Sequence, residues 1–370
     1  MRLCTRHPSL RSIRAILLAA AGLLVVSCGR PQQTTNTGQG SAARSSTLKL
    51  NGAGATFPAP LYAQWADAYR SANGVEINYA AIGSGGGINQ IAARTVDFGA
   101  SDDPLKIDDL QKKGLVQFPA IIGGVVVAYN LSGFNGELKL DGPTVADIFL
   151  GKIKSWDDPR IHQLNPGTQL PHTAITPVYR SDGSGTTFIF TTYLSRVSPV
   201  WQSTIGADKS VKWPTGVGGK GNPGVAGFLK QIGGSIGYVE YSYAQTNSLP
   251  MATLKNKDGQ FVRPTSATFA AAAANGNWDP SQGFCLSLTN QPGVDSWPIV
   301  GVSFILIPAQ PTDPEQAKAV LSFFDYSFKN GGAAADKLGY VMLPSKVIDL
   351  VRQAWSGIKG PGGKSVWQQV

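Results

Sequence analysis

The sequence predicts an α/β protein of two domains that are joined by a hinge and enclose a ligand cleft. From residue 48 onward, short apolar strand patterns alternate with amphipathic helix patterns, which is typical of largely parallel sheets. Two apolar stretches, residues 121–129 and 300–307, are long enough to be strands that cross between domains. The segment between them has an α/β pattern of its own, and 370 residues suffice for two hydrophobic cores.

The N-terminus is predicted to be an export signal. Basic residues up to Arg14 precede an apolar run at 15–26 that is too short to span a membrane as a helix. Ser27 and Cys28 follow, and this junction resembles a bacterial lipobox, in which the cysteine is lipidated after cleavage. An ordinary secretory signal with an incidental cysteine is the alternative. The predicted segments are a signal peptide at 1–27 and a polar, flexible lipid-anchor tether at 28–47.

Domain I is predicted to be discontinuous, with residues 48–128 and 300–370, and domain II to comprise residues 129–299. Within domain I, Leu61 and Trp65 lie four residues apart and indicate one apolar face of a helix. The strands predicted around that helix are 48–51, 75–79 and 96–100. In domain II, the glycine-rich stretch 213–227 is predicted to be a surface loop. Ligand sites favour the cleft between two such domains.

The composition excludes several classes of function. Loss of four arginines with the signal peptide would lower the formal net charge from +9 to +5, and no lysine or arginine run typical of nucleic-acid-binding proteins is present. After processing, His162 and His172 are the remaining histidines, and no cluster has the spacing of metal ligands. We therefore expect no nucleic-acid binding, no metal, no cofactor and no enzymatic activity. Cys285 is expected to be a small buried apolar side chain.

Three glycine-bearing turns, each followed by a helix pattern, are the most informative feature of the chain. They lie at residues 52–58, 82–87 and 180–187. A helix N-terminus has unpaired N–H groups and a partial positive charge, so it suits an oxyanion. None of the turns contains the Gly-Lys-Ser/Thr of a nucleotide-binding P-loop. If the three turns converged, they would form a cage of neutral hydrogen-bond donors.

Three candidate residues of the first domain each have a functional interpretation and a simpler one. Thr56 can cap the following helix with its hydroxyl directed at a ligand, beside a free Phe57 N–H group, or it can cap the helix alone. Ser84 lies in a glycine run that permits close backbone approach, or that is only a flexible turn. Asp102 ends a strand, where its carboxylate can accept a hydrogen bond from a protonated ligand or can be a solvated turn acid.

The turn that begins at Arg180 is the strongest element. An arginine offers two parallel N–H donors to an oxyanion, and Asp182 can pair with it and offset its charge. Ser184 and Thr186 supply hydroxyls, and Gly185 supplies an N–H group. The alternative is a capped helix with a surface ion pair that contributes little stability.

Six ordered segments after residue 47 resemble the phosphate-binding proteins of Pst ABC transporters. They are 51–60, 82–86, 96–102, 179–186, 211–214 with 218–222, and 237–241. The resemblance implies a two-domain, hinged periplasmic-binding-protein fold with Asp182 orienting Arg180. The phosphate contacts that it implies are Ala55, Thr56, Phe57, Ser84, Asp102, Arg180, Ser184, Gly185 and Thr186. The chain departs from the pattern at Gly85, where a serine is often found.

The combined interpretation is a high-affinity receptor for inorganic phosphate that passes its ligand to an inner-membrane ABC permease. The expected partners are the permease subunits and, through them, the cytoplasmic ATPase. We expect a periplasmic or extracytoplasmic monomer that is held to a membrane only by lipidated Cys28. Asp102 would accept the proton that phosphate keeps and that sulfate lacks. The alternatives are a receptor for another tetrahedral oxyanion, a phosphatase that binds phosphate as its product, and an adhesion or signalling role.

Overall fold

The computed structural model describes residues 48–134 and 136–368. The predicted signal peptide, Cys28 and the predicted tether lie outside the described residues. Within the described ranges, no helix is long and apolar enough to cross a membrane. Helices and strands alternate over most of this part of the chain, as the sequence predicts.

The strands are short apart from one that is central to the fold. Their bounds are β1 Lys49–Gly54, β2 Glu76–Ala81, β3 Phe98–Ser101, β4 Leu115–Asn130, β5 Lys139–Leu140, β6 Thr176–Arg180, β7 Val217–Gly219, β8 Ser235–Glu240, β9 Thr253–Lys255, β10 Phe261–Val262 and β11 Val300–Pro308.

A helix follows most strands of the main sheet, and the last three helices follow one another after β11. Their bounds are α1 Ala59–Asn73, α2 Ser84–Ala92, α3 Ile107–Lys113, α4 Gly142–Phe149, α5 Pro159–Leu164, α6 Gly185–Val197, α7 Pro199–Thr204, α8 Gly221–Gln231, α9 Tyr241–Thr246, α10 Ser266–Ala273, α11 Pro314–Asn330, α12 Gly332–Leu338 and α13 Ser345–Trp355.

The main sheet has the order β2-β1-β3-β11-β4-β8-β6-β7, and β4 belongs to both of its halves. Nine of the first ten residues of β4 pair with β11, and from Val125 onward the same strand pairs with β8. We call β1, β2, β3 and β11 with their helices the first lobe, and β6, β7 and β8 with theirs the second lobe. The change of partner occurs at Gly124 and Val125, close to the predicted domain boundary, which itself remains a prediction.

The expectation of largely parallel pairing holds at the outside of the sheet and fails at its centre. Strands that are joined through helices, such as β1 with β2 and β6 with β7, are parallel. The strands β3, β11, β4 and β8 pair antiparallel because the chain leaves the first lobe along β4 and returns to it at β11. The strand β11 pairs only within the first lobe; the return crossing is made just before it, where the Val125 N–H donates to the Ile299 carbonyl at 2.8 Å.

The prediction of a surface loop at 213–227 is wrong from residue 217 onward. This stretch contains β7 and the first half of α8, and the Trp213 ring stacks on Tyr179 and Tyr238. Its glycines serve close packing: a Cβ on Gly219 would lie 2.6 Å from the backbone of Gly224. The glycines thus permit contact between a strand and a helix, whereas the sequence pattern alone indicated a loop.

Two side-chain clusters support the turns at the centre of the molecule. In the first lobe, the Phe98 ring stacks on Tyr79 and makes an edge contact with Phe324. In the second lobe, buried Tyr238 stacks on Phe190, and its hydroxyl accepts a hydrogen bond from the Arg180 N–H at 3.1 Å.

The expectation that Cys285 is buried is wrong, because this cysteine is exposed on the segment before β11.

Candidate functional site

The structure brings the three glycine-bearing turns together between the two lobes. The Ser84 hydroxyl accepts hydrogen bonds from the Asp102 N–H at 3.2 Å and from the Gly185 N–H at 3.0 Å. The Gly85 N–H donates to the Gly183 carbonyl at 3.0 Å. The second turn, from the first lobe, therefore contacts the third turn, from the second lobe, directly.

This close approach explains two of the glycines. At Gly185 a Cβ would lie 2.5 Å from the Ser84 hydroxyl oxygen and 2.5 Å from the Asp102 Cβ. At Gly83 the backbone has φ +91°, and a Cβ would lie 2.4 Å from a carboxylate oxygen of Asp182. Any side chain at these two positions would hold the lobes apart.

Three hydroxyls in the site are arranged as hydrogen-bond donors. A hydroxyl oxygen can accept two hydrogen bonds and donate one. The Thr56 oxygen accepts from the Asn222 backbone N–H at 3.1 Å and from its Nδ2 at 2.9 Å. The Thr186 oxygen accepts from Arg180 Nη1 at 3.3 Å and from Asn222 Nδ2 at 3.2 Å. With both lone pairs used at Thr56, Thr186 and Ser84, each hydroxyl hydrogen is free to point at a ligand.

Backbone donors complete the set. Among the residues that the structure describes, none accepts a hydrogen bond from the N–H groups of Thr56, Phe57 or Thr186. By contrast, the Ala55 N–H donates to the Ala100 carbonyl at 2.9 Å, and the Gly185 N–H is used by Ser84. In this conformation the N–H groups of Ala55 and Gly185 are therefore not free donors. These two residues instead allow the backbone to come close to the ligand position.

Ser184 is the N-cap of α6. Its hydroxyl oxygen accepts from the Thr187 N–H at 3.0 Å, and its own N–H donates to the Lys209 carbonyl at 2.9 Å. The simpler interpretation of this serine, a helix cap, is therefore present in the structure. The hydroxyl hydrogen remains available, so capping and ligand binding are compatible.

Asp102 is the acceptor among these donors. It follows β3, it is buried, and neither carboxylate oxygen has a hydrogen-bond partner among the described residues. Burial raises the pKa of Asp102 to about 7, and the nearby Ser303 hydroxyl and Arg180 guanidinium oppose that rise. An unpartnered carboxyl group in a buried place is costly, so its presence indicates a ligand that offers it a hydrogen bond.

The cation of the site is paired with an acid. Arg180 Nε donates to one Asp182 carboxylate oxygen at 2.8 Å, and Nη2 donates to the other at 2.6 Å. The Arg180 side chain is only 1% exposed. Burial alone would raise the pKa of Asp182, but the hydrogen bonds and charge of Arg180 hold this pKa below its usual range. The pair fixes the guanidinium plane and leaves Nη1 on the side of Thr186.

Asn222 is a site residue that the sequence analysis missed. It is buried in the first turn of α8, and its Oδ1 accepts the Glu240 N–H at 3.0 Å, which directs Nδ2 toward the two threonine hydroxyls. The miss follows from the wrong loop prediction for 213–227. The available signal was the Gly-Asn-Pro sequence at 221–223, since proline favours the first turn of a helix.

The chain is similar to known proteins over most of its length. Residues 31–330 match a family model described as a PBP superfamily domain. The chain is 54% identical over 321 residues to the phosphate-binding protein PstS of Pasteurella multocida, which covers 86% of this chain and 93% of that protein. The PstS protein of Haemophilus influenzae is 52% identical, covering 83% of this chain and 92% of that protein.

Solved structures show the same fold at much lower identity. The phosphate-binding protein from Stenotrophomonas maltophilia matches with a TM-score of 0.65 at 20% identity, covering 87% of this chain and 99% of that one. The predicted fold class and the resemblance are thereby confirmed. With a superfamily model across most of its length and relatives above 50% identity, the chain belongs to the PBP superfamily and, within it, to the PstS phosphate-binding proteins.

Proposed function

We propose that this protein binds inorganic phosphate with high affinity between its lobes and delivers it to the permease of a Pst ABC transporter. The observation that carries the proposal is the buried, unpartnered Asp102 carboxyl group in a site where turns that carry hydroxyl and N–H donors meet. Phosphate offers what this arrangement requires, because it has oxygens for many donors and a proton for one acceptor. The PstS relatives are named as phosphate-binding proteins, which supports the same conclusion.

The donors come from both lobes, so ligand binding and closure are linked. In this proposal, Thr56, Phe57, Ser84 and Asp102 contact phosphate from the first lobe. The contacts from the second lobe are Arg180, Ser184 and Thr186, and Gly185, whose N–H is used by Ser84, allows close approach. A ligand that contacts both walls stabilises the closed conformation by its differential affinity for it. Asp182 acts on the ligand through Arg180, and Ala55 contributes close approach.

Selectivity follows from the chemistry of Asp102. An ionised carboxylate accepts the P–O–H hydrogen of phosphate but faces a like-charged, unprotonated oxygen of sulfate. A site built to hydrogen-bond one group can reject an analogue that lacks it by roughly 10⁴-fold. The same logic does not separate phosphate from arsenate, which also keeps a proton.

The raised pKa of Asp102 makes this discrimination dependent on pH. Below about 7 the carboxyl group of the unliganded protein becomes protonated and can donate to a sulfate oxygen. We therefore expect the ratio of sulfate to phosphate dissociation constants to rise as the pH increases from 5 to 8. Competitive titration at several pH values measures it, and a ratio that is constant over this range would contradict the role of Asp102.

Substitution of Asn222 by alanine is expected to weaken phosphate binding by about 1–3 kcal/mol, because the Thr56 and Thr186 hydroxyls lose donors that orient them. The measurement is calorimetric titration with phosphate. Asn165→Ala is the matched control, since Asn165 is also buried in the second lobe but bonds Ile161 and Lys139. If the Asn222 variant binds phosphate as tightly as the control, Asn222 does not contribute to the site.

The protein is proposed to act outside the cytoplasm as a monomer held to a membrane by lipid on Cys28, and to carry out no chemistry on phosphate. Cys28→Ala is expected to release it from membranes, because the small–Cys junction at 27–28 is the predicted lipidation signal. Labelling of cells with a radioactive fatty acid tests this, and the absence of a Cys28-dependent signal would contradict it. Phosphate binding should be unchanged in this variant.

A further inference from the structure

Three successive backbone carbonyls of the first turn each accept a hydrogen bond from a tyrosine hydroxyl. The pairs are Tyr79 to Ala55 at 2.7 Å, Tyr243 to Thr56 at 2.7 Å and Tyr340 to Phe57 at 2.6 Å. Three phenols on three consecutive peptide units leave this short segment little freedom to rotate. The segment is the one that carries the free N–H groups of Thr56 and Phe57.

The tyrosines come from distant parts of the chain. Tyr79 lies on β2 in the first lobe, Tyr340 lies just after α12, and Tyr243 lies on α9, which follows β8 of the second lobe. Burial raises the pKa of all three phenols, so they remain protonated donors. The bond from Tyr243 to Thr56 therefore joins the two lobes through the backbone of the site.

The trans peptide unit relates each carbonyl to one N–H group. In a planar trans peptide, the C=O of one residue and the N–H of the next point in opposite directions. The Ala55 carbonyl thus sets the direction of the Thr56 N–H, and the Thr56 carbonyl sets that of the Phe57 N–H. The peptide held by Tyr340 precedes Pro58, which has no N–H to direct.

We propose that Tyr79 and Tyr243 are positioning residues for the anion: they hold the Thr56 and Phe57 N–H groups toward the ligand before it arrives. The inference rests on the proposed function, since it concerns the same phosphate. Donation to a carbonyl also polarises its peptide, which strengthens the hydrogen bond given by the opposite N–H. Tyr243 has a second effect, because its bond to Thr56 links α9 of the second lobe to the first turn of the first lobe.

A purely structural role would satisfy the buried carbonyls without influence on the ligand. In that case, loss of a phenol hydroxyl would lower the stability of the unliganded protein and leave phosphate affinity unchanged. A positioning role instead lowers phosphate affinity while the preference over sulfate, which Asp102 sets, is preserved. The two roles therefore differ in which measured quantity changes.

The test compares Tyr79→Phe and Tyr243→Phe with wild type and with Tyr193→Phe. Tyr193 is a matched control, because its buried hydroxyl has no partner among the described residues and its variant removes the same atom from the second lobe. We expect each of the first two variants to bind phosphate about threefold to tenfold more weakly, with the ratio of phosphate to sulfate affinity unchanged. Tyr243→Phe should also release phosphate faster, since it loses a contact between lobes.

Amide NMR of the phosphate complex provides a second readout. Tyr79→Phe should shift the Thr56 amide signal selectively, and Tyr243→Phe should shift that of Phe57. If wild type binds phosphate but both variants bind it as tightly as Tyr193→Phe, the inference is overturned while the proposed function stands. If wild type itself binds no phosphate, the proposed function fails first.

Discussion

Replacement of Asp102 with asparagine is expected to weaken phosphate binding and to remove most of a roughly 10⁴-fold preference over sulfate. The amide oxygen can still accept the phosphate proton, but the amide can also turn an N–H toward sulfate. Asparagine has the same shape as aspartate, so the backbone hydrogen bond from residue 102 to Ser84 should persist. Competitive calorimetric titration checks this, and wild-type discrimination in the variant would show that Asp102 is not the acceptor.

The same substitution should stabilise the unliganded protein at neutral pH. The Asp102 pKa is about 7 in the folded protein and about 3.9 in an unfolded chain, so the folded state binds more protons between these values. Wild-type stability therefore falls as the pH rises from about 4 to 7, by at most about 1.4 kcal/mol per pH unit from this group. Asparagine does not titrate, so the advantage of the variant should be absent at pH 4 and fully developed above pH 7. Urea unfolding without phosphate at pH 4, 6 and 8 measures it.

Arg180→Ala is expected to reduce phosphate affinity by about 1.5–3 kcal/mol, the usual loss for a hydrogen bond to a charged group. It also leaves the Asp182 carboxylate, which is 13% exposed, without its bidentate partner and with the Gly221 N–H as a remaining donor at 2.9 Å. Asp182→Ala should have a smaller effect, since it disturbs the guanidinium geometry but makes the site more positive. Phosphate affinity in both proteins is measured by calorimetry at low and high sodium chloride.

Arg196→Ala is the control for this comparison, because Arg196 lies at the other end of α6 and donates to the Thr289 carbonyl.

The phosphate affinity of the wild type should change little with salt concentration, since a buried set of dipoles is screened less than an exposed basic patch. If Arg180→Ala binds phosphate as wild type does, the second-lobe half of the site is misassigned. The turn at 183–187 would then be only the helix cap that Ser184 already provides.

The sequence pattern predicts the elements that depend on local periodicity. The crossing strand at 121–129 is confirmed as part of β4, because a long apolar run bounded by turn residues has few other solutions. The turns at 52–58, 82–87 and 180–187 were recognisable from their glycines and hydroxyls. Their meeting was not, since it depends on which strand ends the sheet places side by side.

The residues that sequence reasoning missed are those whose role depends on tertiary contacts. The glycines around Asn222 predict a loop, whereas in the structure Gly219 and Gly224 allow β7 to pack on α8. The tyrosines that hold the first turn are separated from it by as many as 283 residues. A buried tyrosine is ordinarily a core residue, and nothing in its local sequence indicates that its hydroxyl reaches a particular carbonyl.

Direct titration of the purified protein with phosphate and with sulfate at pH 8 tests the central claim most directly. At this pH Asp102 is largely ionised, so its discrimination should be near its maximum. We predict saturable binding of one phosphate and a sulfate affinity lower by roughly 10³- to 10⁴-fold. Absence of phosphate binding, or sulfate binding of comparable strength, would contradict the assignment of Asp102 and its surrounding donors as a site for a protonated oxyanion.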